Sequence, residues 1–226
     1  MTRVLNAAGS FTGFFKSDGF RDYLKSLRYS LFTMRRPLAG FWDLIHEKRG
    51  SMAAAHTIII VTVIVEVLRY VLTNFQFMTV NMEMFSAYFI ILQVLSPIFL
   101  WVLANWCLTT LFDGKGKTSH IYMGLAYALT PMTLINAILI PLSHFITYEE
   151  GAIYWILTSV GMVWFVLLVL CAMKEIHDYS FAKAVITCLL TIFAIGVLLF
   201  IFMMFFAVVS DGVVYFFSIY QEIAYR

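Results

Sequence analysis

Apolar residues in this chain gather into five long runs separated by short polar connections, the pattern of a helical membrane bundle. A helix needs about 20 apolar residues to cross roughly 30 Å of hydrocarbon. Residues 53–74, 85–112, 121–145, 152–173 and 184–209 meet that length. The links between them, 75–84, 113–120, 146–151 and 174–183, are short enough to make consecutive helices antiparallel neighbours. The predicted fold is an all-α membrane protein, a single bundle of five transmembrane helices. Residues 1–51 form a basic region ahead of it, 52–209 the membrane domain, and 210–226 a tail.

The flanks show helical periodicity of another kind. Phe20, Tyr23, Leu24, Leu27 and Leu31 recur at helical spacing, with Arg21, Lys25 and Arg28 on the opposite side. A basic face behind an aromatic and aliphatic one describes a helix lying in the headgroup region. Pro37 suits a first helical turn and Gly50 a helix end, so 37–50 reads as a second interfacial helix leading into the first span. A soluble helix packed on the bundle's end is the other reading of these flanks. In the tail, Val213, Phe216, Phe217, Tyr220 and Ile223 again share a face. Asp211-Gly212 favours a break before a short amphipathic outer helix over a bent continuation of the fifth span.

Composition agrees with a lipid solvent. Of 226 residues, 62% are hydrophobic and only 12% charged, too few to coat a water-soluble globule. Mean hydropathy is +0.88. The distribution of charge then orients the bundle. Nine Lys and Arg residues precede the first span, two lie in the second connection and two in the fourth, thirteen in all. The first and third connections hold none, and the tail holds only Arg226. By the positive-inside rule the N-terminus is expected in the cytoplasm and the C-terminus outside, in a cell membrane. No apolar h-region with a cleavage site precedes the first span, so no signal peptide is expected. Cys107, Cys171 and Cys188 all fall inside apolar runs and show no disulfide or metal-ligand spacing.

Several residues then form a recognisable series. Trp101, Asn105, Trp106 and Cys107 run on into Asp113-Gly114-Lys115-Gly116-Lys117, Ile121-Tyr122 and Tyr127-Ala128-Leu129-Thr130-Pro131. Ahead of the first span stand Arg36-Pro37, Gly40-Phe41-Trp42-Asp43-Leu44 and His46-Glu47-Lys48-Arg49-Gly50-Ser51. Over about residues 36–209 the chain resembles the Yip1 domain family, and within it the bacterial members. The resemblance implies five spans with a cytoplasmic N-terminus. Eukaryotic relatives are implicated in vesicle traffic and contact with Rab-type GTPases, but their extended cytosolic region is not matched here.

Three groups of residues are candidate sites. Glu66 and Arg69 lie three apart in the first span, where ionisable groups are costly and often functional. They are expected to form a same-face ion pair. The loop Asp113, Lys115 and Lys117 is a tight turn or a contact for anionic lipid or a partner. Its Gly116-Lys117-Thr118 imitates the end of a phosphate loop, but the glycine required five residues earlier is Leu111, which excludes nucleotide binding. In the third span, Pro131 and Pro141 each remove a backbone donor, with Tyr127 and Asn136 nearby, so a kink is expected there. His177-Asp178 in the fourth connection reads as solvated loop, and Gln93 and Asn105 as isolated polar positions.

No catalytic pair, metal set or cofactor motif is visible in the sequence. The favoured expectation is a non-enzymatic scaffold or adaptor, its partners membrane lipids and other integral membrane proteins rather than nucleic acid or nucleotide. The competing expectation is a small permease, or an accessory subunit of a transporter.

Overall fold

The computed structural model describes residues 18–77, 86–111, 114 and 116–224. Ahead of the membrane lie α1 (Asp18–Arg35) and α2 (Pro37–His46); the spans are built from α3 (Met52–Leu72), α4 (Ala87–Leu111), α5 (Thr118–Ala128) with α6 (Thr130–Phe145), α7 (Gly151–His177) and α8 (Phe181–Ala224). Among the described residues there is no strand, and five segments are long and apolar enough to cross a membrane. The end of the bundle that carries Lys117, Lys174 and Lys183 is its basic end.

The third span is the hub. It packs against α3 on one side and α7 on the other, and more of it is buried than of any other span. Small residues permit the close approach: a Cβ placed on Gly124 would lie 3.4 Å from the Ala172 Cβ of α7. The span is broken once, between Ala128 and Thr130. Pro131 falls in the first turn of α6, where a missing N–H removes no bond that the helix needs. Pro141 lies within α6 without ending it. α4 stands outside this three-layer core and pairs with the opening turns of α8, whose buried residues are Ala184, Thr187, Cys188 and Thr191.

The flanking helices divide their apolar stripe, with Tyr23 and Leu27 of α1 packed on the bundle. α1 buries Ser26, Ser30 and Thr33, a stripe of small polar residues, whereas Leu24 and Leu31 point away from the protein. Small side chains let the backbones come close, which leaves Leu24 and Leu31 available to the headgroup region. α2 buries Phe41 and Leu44, packs along α7, and keeps Leu38 and Trp42 exposed. Tyr29 ties the two helices, donating to Asp43 Oδ2 at 3.1 Å. Burial, and then that carboxylate, raise the Tyr29 hydroxyl well above the usual tyrosine range.

Gly40 sits where α1 and α2 touch. A Cβ there would come within 2.8 Å of the Thr33 Cα, a backbone atom with no freedom to rotate aside. Gly40→Ala is expected to destabilise the protein by about 1–3 kcal/mol through overpacking. Gly196→Ala, where a Cβ meets nothing within 4 Å, is the control and should hold or raise stability. Unfolding midpoints of both variants in detergent measure the difference.

The tail departs from expectation. α8 continues without a break from Phe181 to Ala224, through Asp211 and Gly212. Gly212 keeps a helical φ, and one glycine costs a helix only about 1 kcal/mol, less than the flanking turns supply. At the other end of α7 the helix also runs longer than its apolar pattern. It takes in Lys174 and His177 and stops at Asp178, whose left-handed conformation (φ 57°) turns the chain into α8.

Candidate functional site

The first and third spans run parallel and are joined by polar rungs that ascend together. The hydroxyls of Thr62 and Thr133 lie 2.7 Å apart, one donating to the other and the other to the carbonyl four residues before it, Ile58 or Leu129. One turn further, Asn136 Nδ2 donates to Glu66 Oε1 at 2.6 Å. At the far end the Asn74 amide donates to the Ser143 hydroxyl at 3.1 Å. A buried polar group in a bilayer has no water to fall back on, so each rung fixes the register of two helices.

Glu66 is the centre of this ladder. Arg69 donates to its Oε2 through Nε and Nη2, both at 3.0 Å. With Asn136 on Oε1, both carboxylate oxygens are engaged. Glu66 is 7% exposed, and the Arg69 side chain keeps 25% of its surface and lies over the Tyr70 ring. Acid and base therefore stand as the spacing predicts, with Asn136 from the kinked span as a third member. Tyr127 does not join them. It lies on the opposite side of the break, donating to the Ser26 carbonyl at 3.1 Å and accepting from the Ser51 amide at 3.4 Å. It anchors α1 and the start of α3. The two prolines shape the span and hold no common site.

Thr62, Glu66 and Arg69 also face a cavity of about 530 Å³ enclosed by α3, α4, the third span, α7 and α8. Its walls are apolar apart from that edge, Tyr70 and Gln93. Trp101 lines the end towards the basic side, and its indole N–H is buried without an acceptor. Among the described residues no group of three His, Cys, Asp or Glu could hold a metal ion.

A second buried polar centre escaped the sequence reading. His177 is not solvated loop; it is 1% exposed at the basic end. Its Nε2 donates to Asn105 Oδ1 at 3.0 Å, and its Nδ1 accepts from the Gly116 amide at 3.2 Å. Because the amide is a donor, Nδ1 is the bare nitrogen and the proton sits on Nε2. Asn105 Nδ2 then donates to Thr191 Oγ1 at 3.1 Å, and Thr191 to the Thr187 carbonyl at 2.8 Å. The chain of bonds crosses α4, α7 and α8. The signal that pointed to it was the set of polar residues inside otherwise apolar runs, each of which requires a partner in lipid.

The glycine-rich loop is explained by the same histidine. A Cβ on Gly114 would fall 2.7 Å from the Tyr179 hydroxyl, and one on Gly116 would fall 2.5 Å from His177 Cε1. Both glycines let the loop settle onto the rings of His177 and Tyr179, which stack 5.3 Å apart. Asp113 and Lys115 of the candidate loop lie outside the described residues. Lys117 occupies the position just ahead of α5, with no capping bond from its side chain.

No curated protein and no solved structure gave a significant match to the chain. One family model does match, that of the Yip1 domain, over residues 31–204, from the last turns of α1 into the fifth span. With a fold of five apolar spans and this match across most of its length, the chain belongs to the Yip1 domain family of multi-pass membrane proteins.

Proposed function

We propose that this chain is a bacterial-type Yip1 protein of the cell membrane that works without catalysis, as a scaffold or adaptor for another integral membrane protein. Its N-terminus lies in the cytoplasm and its C-terminus outside. The observation that carries the reading is α8. At 44 residues it is about 66 Å long, twice what the hydrocarbon requires. Beyond Thr191 none of its described residues is buried. The part past Asp211 is still rich in large apolar side chains, with Val213, Phe216, Phe217 and Tyr220 all exposed. Tilting absorbs some excess length, but an aromatic surface that continues past the bilayer needs protein against it. The partner it fits is a transmembrane helix whose own apolar surface extends beyond the outer headgroups. On the opposite face, exposed Arg21, Lys25 and Arg28 hold the protein to anionic lipid.

Photo-crosslinking residues placed at Phe205 and Phe216, and at Ile156 on lipid-facing α7, test the reading in intact membranes. Both α8 positions should trap one and the same integral membrane protein, and Ile156 should trap none. Lipid adducts alone at all three positions would overturn it, as would a product of twice the chain's own mass, the mark of self-association.

A second reading, a small permease or accessory transporter subunit, is favoured by the Glu66–Arg69 pair at the cavity edge. Solute flux in proteoliposomes by the purified chain alone would establish it and sink the scaffold.

A further inference from the structure

We propose that the cavity between α4, α7 and α8 binds one single-chain membrane amphiphile, its hydrogen-bond-accepting head beside Arg69 and Gln93 and its chain directed towards Trp101. The site does not depend on the scaffold reading. Its volume of about 530 Å³ is that of a pocket for one small molecule. Within the shaft there is room for one alkyl chain. On α4 the cavity reaches from Ile90 to Trp101, eleven residues or about 16 Å of helix rise, so it is a shaft along the membrane normal.

Charged groups are confined to one end of that shaft, and the indole N–H of Trp101 lies at the other. Arg69 gives Nε and Nη2 to Glu66, which leaves further guanidinium donors for a ligand. The Gln93 amide lines the cavity from an exposed position on α4, so its N–H groups are within reach of a ligand there. Both Glu66 oxygens are engaged by Arg69 and Asn136, and the arginine offsets the carboxylate charge. The surplus at this end is of donors, and an acceptor oxygen is what they select. Entry is lateral. Met162 and Val166 on α7, and Leu189 and Ile192 on α8, line the cavity and are also exposed to lipid. A ligand arriving through that gap comes from the bilayer, not from water. An acceptor head of this kind is supplied equally by a fatty-acid carboxylate or by the ester and phosphate of a lysophospholipid.

The full chain in maltoside micelles, titrated separately with brominated stearate and brominated lysophosphatidylcholine, tests the site. Bromine quenches nearby indole, and the difference between the wild type and Trp101→Phe isolates the reporter within the shaft. Saturable quenching of Trp101 at one equivalent by either probe is expected, and the probe that saturates identifies the head. Gln93→Leu should raise the half-saturating concentration about tenfold, the loss of one hydrogen bond. Val166→Phe with Leu189→Phe, both on lipid-facing positions that folding tolerates, should slow or abolish the signal. Quenching that rises in proportion to bromolipid in the micelle, and is equal in all variants, overturns the proposal.

Discussion

Arg69→Ala should destabilise the protein by about 3 kcal/mol, the cost of leaving the buried Glu66 without its cation. The argument turns on the asymmetry of burial. The Glu66 side chain keeps 9% of its surface against 25% for Arg69, and it lies between two spans with only the Asn136 amide as its other partner. Once the guanidinium is gone, the carboxylate is left in a low-dielectric site with a single donor, and that costs free energy. Glu66→Gln should cost much less, because the amide oxygen still accepts from Asn136 and the arginine can extend towards the headgroups. The double variant should therefore resemble Glu66→Gln rather than the sum of the two. Unfolding midpoints in a denaturing-detergent titration give the three values. Equal and additive losses would show that the two side chains do not act as a unit.

Such a pair is legible in a sequence because lipid simplifies the problem. Length and apolar content alone locate the first four spans to within a few residues, since a helix in hydrocarbon must satisfy its own backbone. The expected first span, 53–74, is Met52–Leu72, and the third, 121–145, is Thr118–Phe145. Within one helix a spacing of three residues brings Glu66 to Arg69 with no further knowledge. Everything that needed two helices was hidden. Asn136 could not be joined to Glu66, nor Tyr127 to Ser26, because partners seventy or a hundred residues apart leave no trace in periodicity. The contacts that the interfacial helices make with the bundle were hidden for a related reason. Beside a membrane the stripe divides: Tyr23 and Leu27 pack on the bundle together with the small residues Ser26, Ser30 and Thr33, while Leu24 and Leu31 face away from it. Gly212 misled in the opposite direction: a residue that permits a turn does not require one, and the long apolar helix on either side of it continued.

His177→Phe should cost about 2–4 kcal/mol although the ring fills the same space. The substitution removes no packing volume of consequence, but it leaves two groups without partners, the Asn105 carbonyl oxygen and the Gly116 amide. A buried orphan costs about 1–3 kcal/mol, and the Asn105 side-chain oxygen cannot turn to water because Asn105 is fully buried and its own amide is held by Thr191; the part-buried Gly116 amide adds less. The effect should not stay at the histidine. Gly116 positions the loop that enters α5, and the Asn105–Thr191 bond fastens the opening turns of α8 to α4, so both should loosen together. Hydrogen exchange in detergent is the discriminating measurement, with protection falling at residues 116–120 and 184–191 while the Glu66–Asn136 rung stays protected. His177→Gln, whose amide can still donate to Asn105, should recover part of the loss. A uniform drop in protection across all spans would mean that the bond chain is only one contribution to general packing. A local drop would make it the clamp that holds the long eighth helix to the bundle, and with it the wall of the cavity that α4 and α8 share.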